Sequence, residues 1–172
     1  RQQTGDAPLK EHIACAMLVR SGWTENTEAP LTDIMCGSGT IAIEAAYIAR
    51  NIAPGMKRQF WGFNKWLGHE AAIWDALVES ALASQKPAAT GIYAADSSRK
   101  MVSIAKANAD FAGVFSDISF SVQDATKSSP PTAVPGFVVS NPPYGERLGE
   151  LTSLIPLFND WGKRFKEAWK GW

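Results

Sequence analysis

The sequence predicts an α/β fold built on a doubly wound, mostly parallel sheet. Short apolar runs alternate with longer helical stretches along the 172 residues, and a glycine-rich turn separates the first run from the helix after it. Single aspartates follow the next two runs. Strands that alternate with helices pair in parallel through right-handed crossovers. With 45% hydrophobic residues, the chain can bury one core of ordinary size, which predicts a single domain over 1–172.

Apolar periodicity and turn signals define the elements of this fold. In chain order they are a helix over about 8–21, a strand over Leu31–Met35, helices over Ile41–Arg50 and Ile73–Ala83, a strand over 91–95, a helix over about 98–112, strands over Ile118–Val122 and Phe137–Ser140, and a helix over Leu151–Trp169. Asp6 and Pro8 suit the start of the first helix. Ser97 or Ser98 can cap the helix over 98–112, and Gly113 can end it.

Four strands make a short sheet for this class. Because no strand pattern follows the last helix, we expect the sheet to be truncated at its C-terminal end. The strand at Phe137–Ser140 would then lie at an unprotected edge. The chain begins at Arg1 rather than Met, which predicts an excised domain or a processed piece.

The charge balance excludes binding through a global field. Lys and Arg total 17 and Asp and Glu total 17, so no net charge draws the molecule to nucleic acid or to an anionic membrane. One face can still carry a positive bias, because no acid lies between Ala45 and His69. A solvated surface with Lys and Arg stems lying on Trp is the alternative.

Cysteine usage and hydropathy exclude further classes. Cys15 and Cys36 are too few for a disulfide scaffold, and no His or Cys spacing indicates a metal site. No leader or membrane-spanning run occurs, so we expect a cytoplasmic protein with no membrane or metal partner. The sequence leaves the oligomeric state open.

The glycine-rich turn Asp33-Ile-Met-Cys-Gly-Ser-Gly-Thr40 follows the first strand, where a doubly wound sheet binds its ligand. A phosphate-binding P-loop is excluded because no Lys follows Gly39. A dinucleotide site is disfavoured because no acid lies between Glu44 and Glu70, where its ribose-binding carboxylate belongs. A tight turn without a ligand is the plain alternative.

Two aspartates at the ends of the next strands suit an adenosyl ligand. Asp96 can accept hydrogen bonds from both ribose hydroxyls, and Asp124 can accept one from the adenine amino group. Each alone is equally a common strand-end residue. Their position at the ends of successive strands, together with the turn, favours a ligand site.

The motif Asn141-Pro142-Pro143-Tyr144 follows the last predicted strand. An exocyclic base amine is a poor nucleophile because its lone pair is delocalised into the ring. Two acceptors beside the amine, the Asn141 side-chain oxygen and the Pro142 carbonyl, would free that pair and aim it at a methyl group. Tyr144 offers a ring on which an extruded base can stack. A proline-rich turn after a buried strand is the alternative.

Several segments together resemble the bacterial 23S rRNA guanine-N2 methyltransferases of the K/L type. They are Ala7–Ala14, Asp33–Thr40, Asn141–Leu148 and, in the form found in proteobacterial members, Trp61–Trp74. The resemblance covers nearly the whole chain. It implies a Rossmann-like class I methyltransferase that uses S-adenosyl-L-methionine and acts on 23S rRNA. Members of the family also carry an upstream THUMP domain and later strands.

The resemblance implies roles for particular residues. The implied cofactor-binding residues are Asp33, Cys36, Gly37, Gly39, Thr40, Asp96, Asp124 and Asn141. The implied catalytic residues are Asn141, Pro142, Pro143 and Tyr144. An adenine-N6 or glutamine-N5 methyltransferase stays open, because each presents a similar amine to this motif. A cofactor-binding or RNA-binding module without catalysis is the other alternative.

Two other features have plain interpretations. The Cys36 thiol has no neighbouring base or cation in the sequence, so we expect a small packing residue rather than a nucleophile. The aromatic residues Phe60, Trp61, Phe63 and Trp66 could stack RNA bases, but aromatic residues at this density favour a satellite core.

Overall fold

The computed structural model describes residues 9–87, 91–144 and 148–172. The strands are β1 (Leu31–Asp33), β2 (Ile92–Asp96), β3 (Ile118–Val122) and β4 (Phe137–Val138). The α-helices are α1 (Glu11–Ser21), α2 (Thr40–Ala49), α3 (Ala71–Ala83), α4 (Arg99–Ala112) and α5 (Leu148–Ala168). Along the chain after α1 the order is β1, α2, α3, β2, α4, β3, β4 and α5, the same order of elements that the sequence predicts.

The strands form one parallel sheet in the order β3-β2-β1-β4. Leu31 lies opposite Ile92 on one side and opposite Phe137 on the other. The chain therefore moves outward from β1 through β2 to β3 and then returns to the far side of β1. Between β1 and β4 the strand order reverses, and ligands of doubly wound sheets bind at the carboxyl ends of strands at such a point. The predicted fold class is confirmed.

Helices pack on both faces of the sheet. The main core contains α1, α2 and α4, and the alanines of α2 let neighbouring elements approach closely: Ala42, Ala45 and Ala46 are fully buried. Phe137 packs against this core, whereas its neighbour Val138 packs against a second cluster that contains Trp169 of the segment following α5. Adjacent strand residues face opposite sides of a sheet, so the two clusters lie on its two faces.

The α4 helix has both of its predicted ends. The Ser98 hydroxyl accepts a hydrogen bond from the Met101 N–H at 3.3 Å, and Gly113 ends the helix with φ of 75°. The start of α1 differs, because the described helix begins at Glu11 after Lys10, which makes no side-chain cap. The predicted cap residues Asp6 and Pro8 lie outside the described residues.

Two strands are shorter than the sequence predicts, and α5 is longer. β1 ends at Asp33 and β4 at Val138. Just beyond β1 the Met35 N–H bonds to the Asp33 and Ser140 side chains rather than to a neighbouring strand, which interrupts the ladder. α5 begins at Leu148 rather than Leu151; Gly149 weakens the helical pattern there. In the described part of the chain β4 pairs with β1 alone, so it lies at an edge as predicted.

The aromatic residues after α2 form a small cluster. Trp61, Phe63 and Trp74 have ring centroids 4.9 to 5.8 Å apart. Of the four predicted residues, the satellite core is confirmed for Trp61, which is half-buried. It is wrong for Phe60, Phe63 and Trp66, which are 56%, 37% and 69% exposed. Too few elements pack around this segment to cover them.

Across the described ranges, no helix combines the length and the apolar character needed to cross a membrane.

Gly136 marks the closest approach of β4 to the chain before β1. A Cβ at this position would lie 2.0 Å from the Pro30 carbonyl oxygen, which already accepts the Phe137 N–H at 2.7 Å. We expect Gly136→Ala to force the strands apart and to lower the free energy of unfolding by about 3 kcal/mol. The measurement is urea unfolding followed by tryptophan fluorescence.

Gly162→Ala is the matched control. Gly162 is exposed within α5, and a Cβ there would meet no described atom within 4 Å. The same glycine-to-alanine change should raise stability by about 0.5–1 kcal/mol, because alanine favours helix. Equal effects of the two substitutions would contradict the close approach of β4 to Pro30.

Candidate active site at the carboxyl ends of the strands

The glycine-rich turn joins β1 to α2, and glycine is favoured at its two glycine positions for partly different structural reasons. Gly37 and Gly39 have φ values of 52° and 86°, a left-handed region that favours glycine. A Cβ on Gly39 would lie 3.0 Å from the Ala105 Cβ, so close packing of α4 also requires glycine there. A Cβ on Gly37 would meet no described atom within 4 Å. The backbone at Gly37 is therefore open to a ligand.

Asp96, the last residue of β2, bonds to this turn. Its Oδ2 accepts a hydrogen bond from the Gly37 N–H at 3.0 Å, and its Oδ1 accepts one from the Ser98 N–H at 2.8 Å. The carboxylate is half-buried. Each carboxylate oxygen has a second lone pair, so Asp96 can hold the turn and still accept from a bound hydroxyl group.

Asp33, the last residue of β1, bonds across to the chain after β4. Its Oδ1 accepts the Ser140 hydroxyl at 2.5 Å and the Met35 N–H at 3.2 Å. The residue is 2% exposed, and this burial raises the pKa of its carboxyl group from 3.8 to about 7. The two hydrogen bonds lower this pKa, and the nearby charge of Asp96 raises it further. The Asp33 carboxyl group thus joins two strands instead of facing solvent.

The remaining side chains of the turn are packed inward. Cys36 and Thr40 are 6% and 5% exposed. Burial, with the charges of Asp33 and Asp96, raises the pKa of the Cys36 thiol, so it stays protonated. Cys36 belongs to the main core, which confirms its predicted packing role. The Asn108 side chain of α4 donates to the Ser38 carbonyl at 3.0 Å and so links the turn to α4.

Asp124 follows β3 and is exposed. Its Oδ1 accepts the Thr126 hydroxyl at 2.7 Å and the Thr126 N–H at 2.9 Å, and so begins a single helical turn over Ala125–Lys127. These hydrogen bonds, the side-chain one first, hold the pKa of Asp124 below its ordinary value. The carboxylate is ionised at neutral pH, and Oδ2 is in neither hydrogen bond.

The Asn-Pro-Pro-Tyr motif follows β4 on the other side of the turn. Asn141 and Pro142 are half-buried, Pro143 is exposed, and the Tyr144 side chain is 62% exposed. A tyrosine ring in this state offers a face to a planar ligand. Gly145, Glu146 and Arg147 of the segment that supports the family resemblance lie outside the described residues.

The predicted site residues fall into three groups in space. The turn and Asp96 are bonded directly, the motif at Asn141 is linked to the turn through Ser140, and Asp124 lies two strands away from β1. Sequence reasoning missed Ser140 and Asn108. Ser140 offered a signal, a polar residue directly before Asn141 in an apolar strand. Asn108 is one polar residue of a polar helix and offered none.

The fold and this site define a Rossmann-like methyltransferase domain. Among solved structures, SMU.472, solved in complex with SAH, superposes with a TM-score of 0.86 at 33% identity, over 98% of this chain and 44% of that one. A predicted N6-adenine-specific DNA methylase from Listeria monocytogenes superposes with a TM-score of 0.84 at 34% identity, over 98% and 43%.

The chain belongs to the family described as RMKL-like, methyltransferase domain, which matches residues 1–172. It is 82% identical over 173 residues to a ribosomal RNA large subunit methyltransferase K/L of Alteromonas mediterranea. That alignment covers all of this chain and 25% of the relative. The chain spans about a quarter of the length of the curated relatives it matches.

The buried Asp33 carboxyl should make stability depend on pH. Between pH 3.8 and about 7 the unfolded chain has released this proton and the folded protein keeps it. The folded state then binds more protons, so this residue lowers stability as pH rises through that window, by up to about 1.4 kcal/mol per pH unit. Above the window its penalty is constant.

Asp33→Asn removes this contribution while keeping an acceptor oxygen for Ser140. The stability of the unsubstituted protein relative to the variant, measured by urea unfolding, should therefore fall between pH 4 and pH 7 and then level off. Parallel pH profiles for the two proteins would contradict the raised pKa of Asp33.

Proposed function

We propose that this chain is the catalytic domain of an S-adenosylmethionine-dependent methyltransferase that methylates the exocyclic N2 of a guanine in 23S rRNA. The observation that carries the proposal is the Asn-Pro-Pro-Tyr motif at the end of β4, beside the glycine turn and linked to it through Ser140 and Asp33. An adenosyl-cofactor turn and an amine-recognition motif thus flank one point where the strand order reverses.

The residues at the turn fit an adenosyl cofactor. Gly37 leaves open space against its backbone, and the half-exposed Asp96 carboxylate lies one hydrogen bond away. Asp96 would hold the ribose, Asp124 would face the adenine, and Gly37 would line the methionine part. When bound, S-adenosylmethionine supplies an electrophilic methyl group on a positively charged sulfur. Asp33, Cys36 and Thr40 would act by shaping the turn, since their side chains are buried.

The motif residues would bind and orient the target amine. The Asn141 side-chain oxygen and the Pro142 carbonyl each accept one amine hydrogen, which favours a pyramidal nitrogen whose lone pair is less delocalised into the ring and points at the methyl group. Pro142 and Pro143 have fixed φ angles, so they hold the acceptor carbonyl in one place. The exposed Tyr144 ring would stack on the extruded base.

The substrate assignment draws on the named relatives. The Alteromonas relative, at 82% identity, is a ribosomal RNA large subunit methyltransferase, and the whole chain aligns with it. Guanine N2 rests on the resemblance to the K/L type. The adenine-N6 alternative has one observation in its favour, the Listeria structure named as an adenine-specific DNA methylase.

The charge balance fits a domain that needs help to hold RNA. Equal totals of acids and cations give little general attraction to a phosphate backbone. An additional RNA-binding domain, the THUMP domain implied by the resemblance, would supply that affinity. Work on ribosomal RNA would place the protein in the cytoplasm.

Asp96→Asn should weaken binding of S-adenosylhomocysteine. The variant lacks the charged acceptor for the ribose hydroxyls, a loss of about 1.5–3 kcal/mol, or roughly 10-fold to 100-fold in Kd by calorimetry. Asp110→Asn is the control, because Asp110 is exposed near the far end of α4. Unchanged affinity for Asp96→Asn would refute the assignment of Asp96 to the ribose.

Product analysis tests the reaction itself. The full-length protein, incubated with unmodified 23S rRNA and S-adenosylmethionine, should yield N2-methylguanosine on digestion and mass spectrometry. Asn141→Ala should lower the single-turnover rate on the order of a hundredfold, far more than it lowers the affinity for S-adenosylhomocysteine, because Asn141 orients the amine.

Other products would overturn parts of the proposal separately. N6-methyladenosine, or methyl transfer only to DNA or to a protein glutamine, would refute the guanine-N2 target and leave the cofactor site standing. Absence of both methyl transfer and S-adenosylhomocysteine binding would refute the enzyme and favour a non-catalytic module.

A further inference from the structure

The backbone pairing between β4 and β1 stops just before the Asn-Pro-Pro-Tyr motif. The ladder pairs Leu31 with Phe137 and Thr32 with Val138, and its last hydrogen bond runs from the Val139 N–H to the Thr32 carbonyl at 3.0 Å. Strand pairing fixes the chain only as far as Val139. The position of Asn141, two residues on, therefore depends on what holds the chain at Ser140.

Beyond the last backbone hydrogen bond of the ladder, the Ser140 side chain bonds this segment to β1 and to the glycine turn. Its hydroxyl donates to Asp33 Oδ1 at 2.5 Å and accepts the Met35 N–H at 3.1 Å. The Met35 N–H also lies 3.2 Å from Asp33 Oδ1, so the three groups form a closed set. One hydroxyl thus binds both the last residue of β1 and the backbone of the glycine turn.

Within residues 9–87, 91–144 and 148–172, few other groups can hold the motif in place. Pro142 and Pro143 have no N–H to donate, and the Tyr144 ring is mostly exposed. Asp33 is a rigid support, because it is 2% exposed and lies at the end of a central strand. The Ser140 hydroxyl bonds to this support, and Asn141 is the next residue in the chain. The position of Asn141 therefore depends on that bond.

We propose that Ser140 is a positioning residue, which through Asp33 and the Met35 N–H sets where the Asn141 amide lies relative to the cofactor turn. The inference rests on the proposed function, since it assumes that the turn and the motif hold the two reactants. The Ser140 side chain bonds to Asp33 and Met35, so it would act on the reactants only through Asn141. Substitution of Ser140 should therefore slow methyl transfer while leaving the affinity of the turn for cofactor product nearly unchanged.

The size of the effect follows from how strictly methyl transfer depends on alignment. A displacement of about 1 Å at a reacting group can cost on the order of a hundredfold in rate. Loss of the hydroxyl also leaves the buried Asp33 oxygen short of a donor, which lowers stability. A matched control must separate the two consequences.

Ser21 supplies that control. Its hydroxyl donates to the Leu18 carbonyl at 2.8 Å and accepts the Trp23 N–H at 3.3 Å, the same pattern of one donated and one accepted bond. Both serines are half-buried. Ser21 lies at the end of α1, outside the site.

The experiment compares Ser140→Ala, Ser140→Thr, Ser140→Cys and Ser21→Ala in the full-length protein. Three quantities are measured: S-adenosylhomocysteine Kd by calorimetry, the single-turnover rate on unmodified 23S rRNA, and deuterium uptake of peptides spanning 139–144. Ser140→Ala should lower the rate roughly 10-fold to 100-fold, raise deuterium uptake and change Kd less than about threefold. Ser140→Thr, which keeps a hydroxyl, should recover most of the rate.

The control and the cysteine variant keep the test decisive. Ser21→Ala should lower the thermal midpoint without changing the rate or the uptake at 139–144. If Ser140→Ala does not fold, Ser140→Cys replaces it in the comparison. Cysteine is close to serine in size, and its thiol is a weaker hydrogen-bond donor than the hydroxyl.

A rate and an uptake equal to those of the unsubstituted protein, in Ser140→Ala or in Ser140→Cys, would overturn the positioning role. An equal rate loss in Ser21→Ala would overturn it as well. Failure of the proposed function has a different signature, since the unsubstituted protein would then neither bind S-adenosylhomocysteine nor methylate the RNA. The uptake measurement would still report whether Ser140 holds the motif.

Discussion

The hydrogen bond between Asp33 and Ser140 links the two parts of the candidate site, the glycine turn and the Asn-Pro-Pro-Tyr motif. β1 and β4 are neighbours in the sheet but far apart in sequence, and their ladder contains only two residue pairs. Such a short ladder cannot by itself fix the chain beyond it. The hydrogen bond between the Ser140 hydroxyl and the Asp33 carboxyl adds one side-chain link between the two strands beyond their backbone pairing. This link lies where the chain leaves β1 for the glycine turn and leaves β4 for the Asn-Pro-Pro-Tyr motif.

The glycine turn is held by neighbours on several sides. Asp96 bonds to the Gly37 N–H from β2, Asn108 bonds to the Ser38 carbonyl from α4, and Ala105 packs directly on Gly39. A turn fixed in this way loses little conformational entropy when a ligand binds, so more of the contact energy appears as affinity. Gly37, where the chain leaves open space, is the part of the turn that a ligand can approach.

Local signals in the sequence predicted the elements that depend on local chemistry. α4 has its Ser98 cap and its Gly113 end because both are decided within a few residues, and β3 has its predicted bounds for the same reason. The ends of β1 and β4 could not be predicted in this way. They depend on a contact between residues 107 apart in the chain, Asp33 and Ser140.

The same distinction applies to the site. The turn, Asp96 and the Asn-Pro-Pro-Tyr motif could be picked out because residue type and position after a strand carry their chemistry. The inward direction of the Asp33 carboxyl could not, since an aspartate at a strand end can face solvent or a neighbouring strand. The need for glycine at residue 39 could not be fully predicted either, because part of it comes from the close packing of Ala105 of α4. Exposure of Phe60 and Trp66 likewise depends on how few elements surround them.

A crystal structure of the protein with S-adenosylhomocysteine would show whether the glycine turn and Asp96 hold the cofactor. We expect the ribose hydroxyls within hydrogen-bonding distance of Asp96, with the sulfur on the side of Asn141. Binding elsewhere would contradict it, for example in the cavity of about 580 Å³ lined by Tyr47, Arg50 and Phe111, which lies at the far ends of α2 and α4. In that case Asp96 would keep only its bonds to Gly37 and Ser98.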